Sequence, residues 1–212
     1  MRRSRPLAIV DYGAGNLRSV QKAFEHVGAD ATITSDPQEI AAAPAIVLPG
    51  VGAFGAAMDQ LGRRGLVAVI LERIRQGTPF LGVCLGLQVL LEGSEEDPGV
   101  AGLGVVPGEV RALPGTVKVP HIGWNQVEVC TCSDLFEGIP TGSAFYFVHG
   151  FAAVPRSPGN VLCMTDYDGV RFVSGIEVGN VAGVQFHPEK SSSLGLRLYR
   201  NFAQRAGLAP DR

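Results

Sequence analysis

The chain has 212 residues, a formal charge of −2, 46% hydrophobic and 18% charged residues. That composition suits one globular α/β-sized domain and excludes a disordered polymer, and the charge gives no general pull toward nucleic acid or anionic membrane. Glycine is in excess at 28 of 212, about 13% against a usual share of about 7%. No Gly-X-Y period accompanies it, so a collagen helix is excluded.

The first half alternates strand and helix signals. Leu7 to Val10 is a short apolar run, and Asp11 to Gly15 turns the chain. The basic cluster Arg2, Arg3 and Arg5 before it reads as a solvated tail. The apolar run is too short for a signal-peptide core and no stretch reaches a membrane span, so a cytoplasmic protein is expected. Leu17, Val20, Phe24 and Val27 recur at helical spacing and stop at Gly28, with His26 in the last turn. Ala31 to Thr34 and Ala45 to Leu48 read as strands, Leu66 to Ile74 as a helix, Phe80 to Val83 as a strand and Leu85 to Leu91 as a helix. Continuous apolar strands separated by helices predict a mostly parallel central sheet covered on both faces.

After residue 98 the pattern changes. Segments 104–112, 126–130, 144–149, 161–167, 170–177 and 181–186 read as strands, with Asp168-Gly169 as a hairpin signal. A helix over 192–206 closes the chain. The expectation is one α/β domain over 1–212, with an antiparallel elaboration in its second half and frayed tails at 1–6 and 207–212. Cys130, Cys132 and Cys163 are read as packing residues, since Cys130-Thr131-Cys132 has neither zinc-knuckle nor CxxC spacing.

Gly82-Val83-Cys84-Leu85-Gly86 stands between a buried strand and a helix. This is the form of a nucleophile elbow, with glycines where side chains would clash in a sharp turn. The helix start after Cys84 favours a thiolate. A thiolate nucleophile needs a histidine oriented by a third group. His187, in Gln185-Phe186-His187-Pro188-Glu189, follows an apolar strand and is held extended by Pro188. An i, i+2 relation lets Glu189 reach its ring. The backbone N–H of Leu85 is one oxyanion donor, and the glycine-rich segment Pro49-Gly50-Val51-Gly52-Ala53-Phe54 offers others.

Those two segments, in that order, resemble the class I (triad) glutamine amidotransferases, which implies a flavodoxin-like fold. More narrowly, residues 11–20, 48–54, 119–125, 146–149 and 183–191 are similar to the glutaminase subunits of imidazole glycerol phosphate synthases, and the likeness spans residues about 7 to 203. The resemblance implies a Cys84, His187, Glu189 triad that hydrolyses L-glutamine to glutamate and ammonia through a cysteinyl thioester. It implies an oxyanion hole at Leu85, Val51 and Gly52, and substrate contacts at Gly50, Gln88 and His149. It also implies a 1:1 heterodimer with a cyclase subunit in histidine biosynthesis, with Asn16, Pro120, Trp124 and Tyr146 at the partner face. Ammonia would be channelled to that partner, whose ligand would control turnover through the Gly50–Gly52 loop. No cofactor or metal is called for. Gly150 departs from the family pattern, standing where a hydroxyl residue is expected. A triad glutaminase feeding another synthase, a catalytically silent scaffold and another cysteine hydrolase are the rival readings.

Overall fold

A computed structural model describes residues 5–209, so Arg2 and Arg3 of the basic cluster lie outside the described residues. In chain order the elements are β1 (Leu7–Val10), α1 (Leu17–His26), β2 (Ala31–Thr34), α2 (Pro37–Ala42), β3 (Ile46–Gly50), α3 (Phe54–Arg63), α4 (Leu66–Arg75), β4 (Phe80–Cys84) and α5 (Leu85–Gln88). There follow β5 (Gly93–Ser94), β6 (Gly108–Ala112), β7 (His121–Val129), β8 (Ser143–His149), β9 (Phe151–Pro155), β10 (Val161–Tyr167), β11 (Val170–Val178), β12 (Val181–Val184) and α6 (Ser192–Arg205).

One sheet runs in the order β2-β1-β3-β4-β12-β11-β10-β7-β8. Its first five strands are parallel, and every pairing from β12 to β8 is antiparallel. The parallel strands are buried on both faces, as their unbroken apolar runs require. Leu7, Ile9, Val47, Leu81 and Val83 point into one core with Phe24 of α1 and Leu198, Tyr199 and Phe202 of α6. Ala8, Val10, Ile46 and Leu48 point into the other, with Ile40, Leu61, Leu66 and Ile70 of α2, α3 and α4. β12 enters between β4 and β11, so the chain returns at residue 181 to cover the strand that carries Cys84.

Several boundaries move for identifiable reasons. The helix expected over 85–91 is a single turn. The N–H groups of Leu103, Gly104, Val105 and Val106 take the carbonyls of Val89, Leu91, Leu90 and Leu90, so the chain bends into a loop instead. The same bonds consume the start of the strand expected over 104–112, which begins at Gly108. The strand expected at 126–130 is longer, starting at His121, because β8 pairs with it from His121↔His149 to Val127↔Ser143. The helices α2 and α3 and the strands β5 and β9 have no counterpart among the expected elements. Residues 207–209 do not form a frayed tail. The Leu208 N–H donates to the Ala203 carbonyl, and Leu208 and Ala209 pack on the core. Cys163 is buried, but Cys130 and Cys132 are exposed and do not pack. Among the described residues, no helix is long and apolar enough to cross a membrane.

Candidate active site

Cys84 ends β4 with φ 55° and ψ −109°, an unusual conformation for a non-glycine residue. The elbow glycines make that turn possible. A Cβ on Gly82 would stand 2.4 Å from the Gly86 carbonyl oxygen. A Cβ on Gly86 would collide with the carbonyl of Leu48 on β3, so the sheet, not the residue-82 side chain, is what excludes a side chain there. The nucleophile thus sits at the C-terminal edge of the parallel strands, where open α/β sheets place ligands.

His187 follows β12 with extended backbone (φ −104°, ψ 97°), and Pro188–Lys190 then form one 3-10 turn. It is this turn, rather than an extended i, i+2 pair, that brings Glu189 Oε1 to 2.8 Å from His187 Nδ1. The carboxylate is nearly saturated. Asn16 Nδ2 donates to Oε1 at 2.5 Å, and the Tyr199 hydroxyl donates to Oε2 at 3.0 Å. Both side chains of the His187–Glu189 pair are 2% exposed or less. The Ser191 hydroxyl donates to the His187 carbonyl, and the Tyr146 carbonyl accepts from the His187 N–H, so the histidine backbone is also fixed. Burial alone would lower the His187 pKa. Interactions with Cys84 and Glu189 outweigh that cost and hold it at about 9, so the ring is an imidazolium at neutral pH. Its Nε2 is buried and makes no hydrogen bond, leaving a proton donor beside the sulfur for a leaving group.

A cavity of about 290 Å³ opens over Cys84. Its wall includes Val51, Gly52, Leu85, Gln88, Glu96 and His149. The three expected oxyanion residues therefore share one cavity with the sulfur. Leu85 opens α5, so its N–H belongs to the unclaimed first turn of a helix. The Val51–Gly52 segment is pinned at both ends. Gly50 has no room for a Cβ, which would meet the Tyr12 hydroxyl at 2.4 Å. Beyond it, the Phe54 and Gly55 N–H groups donate to the carboxylates of Glu96 and Asp97, which cap α3 in place of its own Ala53. Between these anchors Gly52 has φ 106° with open space around it.

The two expected substrate contacts Gly50 and His149 differ in their relation to the cavity. Gly50 does not line the cavity, because it is buried beneath it. His149 lines it, but its ring nitrogens are both engaged, Nδ1 with the Phe151 carbonyl (2.9 Å) and Nε2 with His121 Nδ1 (3.1 Å). A carbonyl can only accept, so Nδ1 of His149 carries the proton and Nε2 accepts from His121. Burial, together with the nearby rings of His121 and His187, pushes the His149 pKa down to about 4 despite the Phe151 hydrogen bond. His149 is therefore a neutral part of the cavity wall. Gln88 is buried at the cavity, and its Nε2 donates to the Phe151 carbonyl and to Gln185 Oε1.

The four expected partner-face residues separate. Asn16 belongs to the site, as the Glu189 donor described above. Pro120, Trp124 and Tyr146 lie on the β7–β8 surface, where Trp124 and Tyr146 are cross-strand partners in an edge-to-face contact. Val119, Ile122 and Trp124 are 45%, 59% and 54% exposed, which makes an apolar patch beside the strand that holds the His187 backbone. Glu96, Gln185, Ser191 and Tyr199 are missed by sequence reasoning, which places Asn16 only at the partner face. Only the buried amide before His187 could have drawn attention to one of them.

Residues 8–206 match the family model for "Glutamine amidotransferase class-I". Curated relatives named imidazole glycerol phosphate synthase subunit HisH include one from Moorella thermoacetica, 54% identical over 94% of this chain and 95% of that one. Another, from Pyrococcus furiosus, is 53% identical over 92% and 97%. Among solved structures, a glutamine amidotransferase superposes with a TM-score of 0.72 at 22% identity, covering 94% of this chain and 98% of that one. The structure of PurLQS from Thermotoga maritima gives 0.74 at 21% identity, covering 95% and 99%. These structural likenesses speak to the fold. The family model covers nearly the whole chain, and the sequence relatives are more than half identical over more than nine-tenths of it, so this chain belongs to the class-I glutamine amidotransferases.

Proposed function

We propose that this chain is the glutaminase subunit of an imidazole glycerol phosphate synthase, acting in the cytoplasm in histidine biosynthesis. Cys84 attacks the side-chain amide carbonyl of L-glutamine. The oxyanion of the tetrahedral intermediate turns toward the Leu85 N–H and the Val51–Gly52 peptide. His187 Nε2 gives its proton to the departing ammonia, then takes one from the water that hydrolyses the glutamyl thioester. Glu189 holds the imidazolium in orientation throughout. Because both Gln88 Nε2 protons are committed to Phe151 and Gln185, its carbonyl oxygen is what it can offer substrate, as an acceptor for the α-ammonium. Glu96 supplies a carboxylate to the same cavity.

The observation that carries this reading is a cavity that holds Cys84 and the elbow residue Leu85, with His187 interacting with the sulfur and held by Glu189 behind it. The names of the relatives support the narrower assignment to the synthase. The exposed apolar patch at Val119, Ile122 and Trp124 supports a docked cyclase subunit in a 1:1 heterodimer, to which ammonia passes without release. Turnover is coupled to that partner through the Val51–Gly52 peptide, which can rotate between its two anchors and present an N–H. The test is release of glutamate and ammonia from glutamine, by the chain alone and with the cyclase and its nucleotide ligand. Release that rises on adding both is expected. No release in any condition, with Cys84 still alkylated by iodoacetamide, overturns the glutaminase reading. Release indifferent to the cyclase overturns the synthase assignment.

A further inference from the structure

The sulfur of Cys84 has a neighbour that the triad does not use. Gln185 is fully buried immediately after β12, and its Nε2 lies 3.6 Å from Cys84 Sγ. An amide can turn either its oxygen or its nitrogen toward a neighbour, and here the polarity follows from what lies behind it. Gln88 Nε2 stands 3.0 Å from the Phe151 carbonyl oxygen and 3.1 Å from Gln185 Oε1. The Phe151 carbonyl is an obligate acceptor, so Gln88 presents its NH₂ group there. That NH₂ group has a second proton, which needs an acceptor, and Gln185 Oε1 is the atom in reach. The Gln185 oxygen is thereby turned away from the sulfur and its NH₂ toward it. The ends of this relay are fixed by backbone, since the Gln185 N–H donates to the Ser174 carbonyl at 2.9 Å.

We propose that Gln185 is a fourth catalytic residue: its side-chain amide donates to Cys84 Sγ and stabilises the ionised nucleophile, with Gln88 as the positioning residue that fixes the amide's orientation. This rests on the reading of Cys84 as the nucleophile of a glutaminase. A neutral donor suits the position. It favours the thiolate without adding a charge that would pair off the sulfur, and it leaves His187 Nε2 for the leaving group. It also opposes the Val148 carbonyl, 3.9 Å from Sγ, which accepts from the thiol and so favours the protonated form. The other titratable groups around the sulfur are His187 from the turn after β12, Tyr12 from the loop after β1, and His149 and Glu96 across the cavity.

The experiment is the rate of Cys84 alkylation by iodoacetamide as a function of pH, in the parent chain and in Gln185→Met, Gln185→Glu and Gln88→Met. Iodoacetamide needs no substrate site, so the readout is separate from glutamine turnover. Gln185→Met should react about ten-fold more slowly at neutral pH, the factor for losing a hydrogen bond of about 1.4 kcal/mol, and should recover the parent rate in alkali. Gln185→Glu, an acceptor facing the sulfur, should be slower still. Gln88→Met should show part of the same displacement, because it frees the Gln185 amide to turn. A folded Gln185→Met variant whose profile superimposes on the parent overturns the proposal. If that variant does not fold, the Gln185 side-chain NH₂ resonances of the parent decide the matter. They should move on alkylating Cys84 and in Cys84→Ala, and unchanged resonances overturn the assignment. A displaced profile in Gln185→Met, beside a parent that never releases glutamate, would fail the glutaminase reading while leaving the Gln185–sulfur contact standing.

Discussion

Acidifying the protein should destabilise it through His149. This ring is neutral and buried in the fold, with a pKa near 4 set first by burial. In the unfolded chain the same ring titrates at about 6.5. The folded state therefore binds fewer protons than the unfolded state between these values, and stability falls as pH drops through that window. The shift of about 2.5 units corresponds to a ceiling of about 3 kcal/mol, of which about 2 kcal/mol is lost by about pH 5. His121, also lowered by burial, adds to the loss in the same direction. The assay is urea unfolding of the parent and of His149→Gln from about pH 8 to about pH 4.5. Glutamine stays neutral and can still donate to the Phe151 carbonyl, so the variant should lose the acid slope that the parent shows. All other carboxylates and histidines titrate in both proteins, and the difference between the curves isolates this ring. Parallel curves across the whole range would refute the reasoning. So would a His149 ring resonance that titrates near 6.5 in the folded protein.

Three further outcomes follow from the site. His187 owes its raised pKa to Cys84 and Glu189, so Cys84→Ala should move the His187 ring titration downward in an NMR pH series while abolishing glutamate release. Gly86→Ala should cost 4 kcal/mol or more in chemical denaturation, or prevent folding, because its Cβ collides with the Leu48 carbonyl and neither strand nor elbow can retreat. Tyr199→Phe removes one of three donors to Glu189 and leaves the ring packed on Phe24; it should keep the fold by circular dichroism and lower kcat several-fold with little change in KM.

The parallel half was legible because burial on both faces writes itself as apolar runs, as in Ala8 to Val10 or Phe80 to Val83. The elbow was legible because two glycines at fixed spacing mark a turn that nothing else tolerates. The helix α2 had a readable start in Asp36-Pro37, where Asp36 caps the Gln38 N–H, but it is too short for periodicity to show. The false helix over 89–91 has a correct local pattern and is overruled because its carbonyls are captured by N–H groups 13 to 16 residues downstream. Glu189 was found by proximity to His187, whereas Asn16 and Tyr199 reach it from 173 and 10 residues away. The resemblance puts Asn16 at the partner surface, and no sequence period connects it to the turn that carries Glu189. The resemblance likewise makes His149 a substrate contact. Its occupancy by His121 depends on the β7–β8 register, which the sequence does not display.

The placement of β12 has a consequence for how activity arises during synthesis. Cys84 is made early, but on a strand whose neighbouring slot stays empty until residues 181–184 arrive. The base, its carboxylate, the Gln185 amide and the Tyr199 hydroxyl all come later still, between residues 185 and 199. A chain still emerging from the ribosome, or one cut short before β12, thus carries a cysteine with neither its histidine nor that histidine's carboxylate. Possession of a working nucleophile is equivalent to having closed the middle of the sheet, so unfinished copies release no ammonia and enzyme activity itself certifies complete assembly.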